Sequence, residues 1–158
     1  MPKNTELTKL IKEFKELQDF KNSERMAKLL KTTASTLERL SDESFEFKRS
    51  PFGEKWAERA PATKAKLLRE NKLNQSDILQ LSGHLRKSIS ARTGDNSVTL
   101  GTNVNKGYAP IHQFGGYAGR NKKVFIPKRA YLPINDKGEI PKSLEKEIEA
   151  LIWKILGV

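Results

Sequence analysis

The side chains that could do chemistry in this chain are few and scattered. Cysteine is absent and only two histidines occur, His84 and His112, which removes thiol catalysis, disulfides and the usual structural zinc sets. His112 stands next to Gln113 with no cluster of Asp, Glu or Cys beside it, so a general base or metal ligand there would lack its partners. The pair reads instead as a half-buried polar couple that hydrogen-bonds backbone in a tight turn, because an unpaired buried polar group is costly. Ser82, His84 and Asp95 can be assembled into a trio on paper, but the strand–turn–helix elbow of a nucleophilic serine is missing. Gly115, Gly116 and Gly119 before Arg120 evoke a phosphate-cradling loop. That motif ends in Gly-Lys-Ser/Thr and opens a helix, whereas Asn121, Lys122 and Lys123 follow here. Backbone freedom is the better reading of these glycines. The expectation is no catalytic residue, no metal and no cofactor.

What remains is charge. The stretch Tyr108–Ile134, YAPIHQFGGYAGRNKKVFIPKRAYLPI, holds five Lys or Arg and no carboxylate. No acid occurs between Asp95 and Asp136, so Lys106, Arg120, Lys122, Lys123, Lys128 and Arg129 have no local counter-charge. The net charge of +11 is graded: eleven cations face nine carboxylates in residues 1–50, nine face five in 51–100, and ten face five in 101–158. Such a surface is a solvated face, a contact for acidic protein neighbours, or a nucleic-acid contact. Tyr108, Phe114, Tyr117 and Phe125 interleave with the cations as stacking platforms would, but no recognition helix or ribonucleoprotein motif accompanies them. Tyr117, Arg120, Lys122, Lys123, Lys128 and Arg129 are the expected partner-binding residues.

These residues need a scaffold, and 158 residues suffice for one core without metal or disulfide staples. With 36% hydrophobic and 31% charged residues, that core is thin and the wet or partner-covered surface large. Leu7, Leu10, Ile11, Phe14 and Leu17 put one apolar stripe on a helix over about 5–20. Ser23 is the expected N-cap of a second helix, carried by Met26, Leu29, Leu30, Leu37 and Leu40 and ending near Ser41. Residues 45–74, broken by Pro51, Gly53 and Pro61, read as an irregular arm with a helical patch over 63–69. Ser82 caps a short helix bearing Leu85 and Ile89. Gly94, Asp95 and Asn96 turn a β-hairpin between 90–93 and 97–101. One or two helical turns over 108–114 end at Gly115, the basic loop follows, and prolines confine 124–126 and 130–134 to edge strands or connectors. Leu144, Ile148, Leu151, Ile152 and Ile155 mark a final helix from Ser143, expected to pack on the sheet. The fold class is α+β: N-terminal helices, a small antiparallel sheet with a long basic loop, and the C-terminal amphipathic helix. The division expected is a helical segment over 1–44 and an α+β unit over 45–158, in one compact body. No apolar run approaches the roughly 18 residues of a membrane span, and the charged N-terminus does not resemble a signal peptide.

Read as one unit, SPFGEKWAERAPATKAK, ILQLSGHLRKSI, VTLGTN, YAPIHQFGG and IPKRAYLPI resemble the phage virion morphogenesis family, which includes tail-completion proteins and the G protein of Mu-like phages. The residues that carry the resemblance are Trp56, Leu79, Gly83, Leu85, Ser88, Ile89, Gly101, Thr102, Ile111, His112, Gln113, Phe114, Gly115, Ile126, Pro127, Arg129 and Leu132. Gly83, Leu85, His112, Gln113, Phe114, Gly115 and Pro127 are thereby structural motif positions. Lys128, Ala130 and Tyr131 depart from the pattern, which often has Ala, Pro and Phe there. The resemblance implies a non-catalytic assembly protein of a phage or prophage, acting at the head–tail junction or tail terminus. It also implies head–tail connector or tail proteins as partners, a homo-oligomeric ring, no membrane, and a location in the virion or in the host bacterial cytoplasm during assembly. A basic face around a DNA channel would allow a non-specific contact with DNA. A nucleic-acid-binding module is the alternative reading.

Overall fold

The computed structural model describes residues 3–21, 23–74, 77–104 and 107–156. Helix α1 (Lys3–Lys21) leads into α2 (Glu24–Phe47) through Ser23, whose hydroxyl accepts from the Met26 N–H at 3.3 Å and donates to the Phe20 carbonyl at 2.6 Å. Ser23 is thus the N-cap expected from its residue type. Helix α2 does not stop at Ser41: Ser41, Ser44 and Phe45 are buried, and the helix ends only where Lys48 turns left-handed at φ 53°. No glycine marks that end, so local sequence could not locate it.

The presumed arm supplies core. Phe45 and Trp56 pack edge to face with centroids 5.3 Å apart, and Tyr131 lies 5.5 Å from Phe45. Ile78, Leu85 and Ala109 complete this cluster, with Leu79, Ile89, Val104 and Leu132 packed around it. Each fully buried aromatic or leucine there contributes roughly 1.5–3 kcal/mol by leaving water. Helix α3 (Pro61–Arg69) starts on a proline and buries only Leu67. The next helix, α4 (His84–Lys87), is a single turn entered through Gly83 at φ +70°, while Ser82 only accepts a long 3.4 Å bond from the His84 N–H. Ile89 belongs to the following strand and not to this helix.

Strands β1 (Ile89–Thr93) and β2 (Val98–Thr102) form the expected antiparallel hairpin, with Thr93 opposite Val98 and the Gly94 N–H bonded to the Ser97 carbonyl at 2.8 Å. Helix α2 lies across it, and Glu38 accepts the Ala91 N–H at 2.7 Å while Asp42 takes a forked bond from Arg86 at 2.5 and 2.7 Å. Helix α5 (Tyr108–Phe114) precedes a second, separate hairpin, β3 (Gly116–Ala118) and β4 (Val124–Ile126). The α+β class stands, with two small sheets of two strands each among the described residues, where one sheet was expected. Residues 130–134 form no strand, and the chain bends at Leu132 and Pro133. The last helix, α6 (Lys142–Leu156), takes α2 as its main neighbour, where the sheet was expected. Arg39 joins the two helices, holding Glu43 at 2.7 Å and Glu147 at 2.8 and 3.0 Å.

Helix α1 leaves its stripe in water: Leu7, Leu10, Ile11, Phe14 and Leu17 are all about half exposed or more, up to 65% at Leu17. Its contacts among the described elements are chiefly with the start of α2. No helix of the described residues is long and apolar enough to cross a membrane.

Candidate functional site

The second hairpin is the most conspicuous surface feature, and its mounting begins at Gln113. This side chain is 2% exposed. Its Oε1 accepts the N–H groups of Tyr131 and Leu132 at 3.0 and 2.9 Å, and its Nε2 donates to the carbonyls of Leu132 and Ile134 at 3.2 and 2.9 Å. One carboxamide therefore satisfies the backbone of residues 131–134, which bend at Leu132 and Pro133 and belong to no sheet. The Trp56 indole N–H donates to the Ala130 carbonyl at 2.8 Å, and the Tyr131 hydroxyl donates to the Ala109 carbonyl at 3.0 Å. Burial pushes the Tyr131 hydroxyl up to about 12, so it remains a donor.

Gly115 turns the chain from α5 into β3. Its φ is +75°, and a Cβ there would sit 3.0 Å from the Lys128 nitrogen and 3.3 Å from the Ile126 carbonyl oxygen, both backbone atoms that cannot step aside. Arg129 completes the mount. Its N–H bonds the His112 carbonyl at 2.8 Å, and its guanidinium reaches the carbonyls of Ala57 and Glu58 at 2.8 and 2.7 Å. Only 6% of Arg129 is exposed. It was expected on the partner-binding face, and the structure instead makes it a strap from the hairpin base to the segment after Trp56. Burial, then repulsion from Arg59, lowers its pKa, but an Arg stays charged.

Beyond this mount the hairpin projects its chemistry outward. Tyr117 faces Phe125 in register, rings 5.4 Å apart, and the two are 62% and 59% exposed. The turn is a 3₁₀ segment, Arg120–Lys122, followed by Lys123. The long loop expected here is thus a short structured tip. Asn121 and Lys122 both hold left-handed φ, 65° and 50°, a conformation costing a side chain other than glycine roughly 1 kcal/mol. Arg120, Lys122 and Lys123 are exposed, and among the described residues no carboxylate pairs with them. Lys128 differs: its ammonium lies 3.3 Å from Asp136. Lys106 lies outside the described residues. Of the six residues expected to meet partners, Tyr117, Arg120, Lys122 and Lys123 therefore gather on the hairpin, Lys128 is ion-paired and Arg129 is interior.

The other chemically suggestive residues do not converge. His112 is half-buried against Tyr108, ring centroids 4.6 Å apart, and its Nδ1 is buried with no hydrogen-bond partner. Burial, then the Arg129 charge, pulls its pKa down to about 4, so the ring is neutral near pH 7. The backbone-bonding role expected of the His112–Gln113 pair is thus performed by the Gln113 side chain. A cavity of about 400 Å³ opens beside His112, lined by Leu67, Ile78, Tyr108, Phe125 and Arg129 among others. The carboxylates on its wall are in ion pairs: Glu58 with Lys64, Glu70 with Lys72, and Asp77 with Lys48 at 2.6 Å. Ser82 faces the His84 backbone, while Asp95 sits in the β1–β2 turn near the start of α2. Among the described residues, no three of His, Cys, Asp and Glu come together in a way that could hold a metal ion.

Sequence reasoning missed Arg129 as a strap and Gln113 as the bridge to the backbone of residues 131–134. Both sit inside the motifs IHQFGG and IPKRAYLPI, whose polar residues amid apolar ones were the available signal. The chain belongs to the phage virion morphogenesis family, whose profile matches residues 5–156. It is 37% identical over 83 residues to the Mu-like prophage FluMu G protein 2 of Haemophilus influenzae, a match covering 51% of this chain and 59% of that protein. The match thus spans less than two thirds of that relative's length. No solved structure matches. The family is one of phage virion morphogenesis.

Proposed function

We propose that this protein acts without catalysis at the head–tail junction or tail terminus, completing the tail or joining it to the head. It works as a homo-oligomeric ring that meets connector or tail proteins, in the host bacterial cytoplasm during assembly and then in the virion. The observation that carries this reading is the anchored hairpin: three exposed cations without counter-charge and two exposed aromatics, held on a core by Gln113, Gly115 and Arg129. The bare stripe of α1 supports it as a second surface. His112, neutral and with no hydrogen-bond partner at its buried Nδ1, supports the non-catalytic part.

The test replaces Arg120, Lys122 and Lys123 by Ser together in a phage or prophage that depends on this gene. The protein should fold, and infectious particles should fall by at least tenfold, with heads and tails left unjoined or tails unfinished. Normal yields from a folded triple variant would refute the docking role. The interleaved Tyr117 and Phe125 favour one other reading, nucleic-acid contact. In that case duplex affinity falls with salt at a slope of about −0.9 per phosphate, and the triple variant flattens that slope. No duplex binding at low salt removes this alternative.

A further inference from the structure

The elbow between α1 and α2 holds a recess of about 830 Å³ with Leu17 and Phe20 on its floor and Glu13, Glu16 and Asp19 around it. One cation, Arg25, also lines it, and Lys12 makes a long exposed pair with Glu16 at 3.9 Å. In a chain of net charge +11, this is a local excess of carboxylates over an apolar floor. The β3–β4 tip is its counterpart: Arg120, Lys122 and Lys123 above the exposed Tyr117, Val124 and Phe125. Three cations over an aromatic base match three carboxylates around an aliphatic and aromatic floor. No ion pair or hydrogen bond joins the two surfaces within one chain among the described residues.

We propose that the β3–β4 tip of one copy seats in the α1–α2 elbow of a second copy. This rests on the assembly reading above and names the surface through which the ring closes. The two partners are different patches of the same chain, so the contact is heterologous: each copy gives a tip and receives one, and the series closes into a ring when the rotation allows. Charge selects the orientation. Two copies carrying +11 each repel in most approaches, while tip to elbow brings opposite signs together and buries Tyr117 and Phe125 against Leu17 and Phe20.

The absence of cysteine makes the test direct. One sample of the full chain carries Glu16→Cys and another Lys123→Cys; the two are mixed at low salt under mild oxidation and run on a non-reducing gel. The expected result is a disulfide-linked heterodimer in several-fold higher yield than a control pairing of Glu16→Cys with Lys137→Cys, which lies in an exposed turn. Adding Glu13→Lys and Asp19→Lys to the elbow should drop the yield to the control level, and adding Arg120→Glu and Lys122→Glu to the tip should restore it. A yield no higher than the control, or one unmoved by the elbow reversal, overturns the proposal. If such a result coincides with loss of particles in the triple Ser variant, the tip meets another virion protein: the homotypic contact fails while the assembly reading stands.

Discussion

Replacing Gln113 by Ala removes a side chain that satisfies four backbone groups at once. The carbonyls of Leu132 and Ile134 can find water at the half-exposed end of the segment, whereas the N–H of Tyr131, a residue 1% exposed, cannot. An orphaned buried donor costs about 1–3 kcal/mol, so the two N–H groups set a range of roughly 2–6 kcal/mol. Leu132 is half-buried and admits some solvent, which places the expectation near 3 kcal/mol. That is a large share of the 5–15 kcal/mol typical of a domain. Urea unfolding followed by Trp fluorescence measures it, since Trp56 bonds the Ala130 carbonyl next to the affected segment. With an m-value of about 1–3 kcal/mol/M, the midpoint should fall by 1–3 M. Gln113→Glu sharpens the test. Its carboxylate still accepts the two N–H groups but faces two carbonyls where Nε2 donated, so the folded-state pKa is raised above the ordinary 4.3 or so. Relative to the wild type at each pH, that variant should therefore lose least below about pH 4 and more as pH rises through the raised pKa. A loss under 1 kcal/mol for Gln113→Ala, or a Glu variant insensitive to pH, would refute this account of Gln113.

Gly115→Ala combines a positive φ with backbone contacts at 3.0 Å and should cost at least 2 kcal/mol in thermal or urea unfolding. Arg129→Lys keeps the charge but cannot fork onto two carbonyls 2.7–2.8 Å from separate nitrogens; about 2 kcal/mol should be lost, with faster limited proteolysis around residues 57–60. Protonating His112 opposes folding, because its folded pKa of about 4 lies below the ordinary 6.5. The stability it allows is complete above pH 6.5 and is lost as pH falls towards 4, by about 1–2 kcal/mol after discounting the ideal value for a half-buried ring. His112→Phe should remove that component from a comparison of urea midpoints at pH 7 and pH 4. Lys122→Gly relieves a left-handed φ of 50° and should leave stability unchanged or raise it by up to about 1 kcal/mol in thermal unfolding, while weakening docking.

The sequence by itself determined what depends on neighbours along the chain. The α1 stripe follows from helical spacing, Ser23 from the capping of bare N–H groups, the β1–β2 turn from Gly94, Asp95 and Asn96, and the end of α5 from Gly115. The five motif blocks that carry the family were legible in the same way. Tertiary structure alone decided the rest, because the free energy that decides it arises between distant residues. Helix α2 runs on to Phe47 since its last turns are buried against the β1–β2 hairpin and Trp56. Residues 131–134 need no strand partner because Gln113, eighteen to twenty-one positions away, bonds their backbone. Among six cations with the same sequence signature, Arg129 went inside because the carbonyls of Ala57 and Glu58, more than seventy residues earlier, were waiting for its donors. Arg120, Lys122 and Lys123 stayed in water because the hairpin carries them past any carboxylate of the described residues.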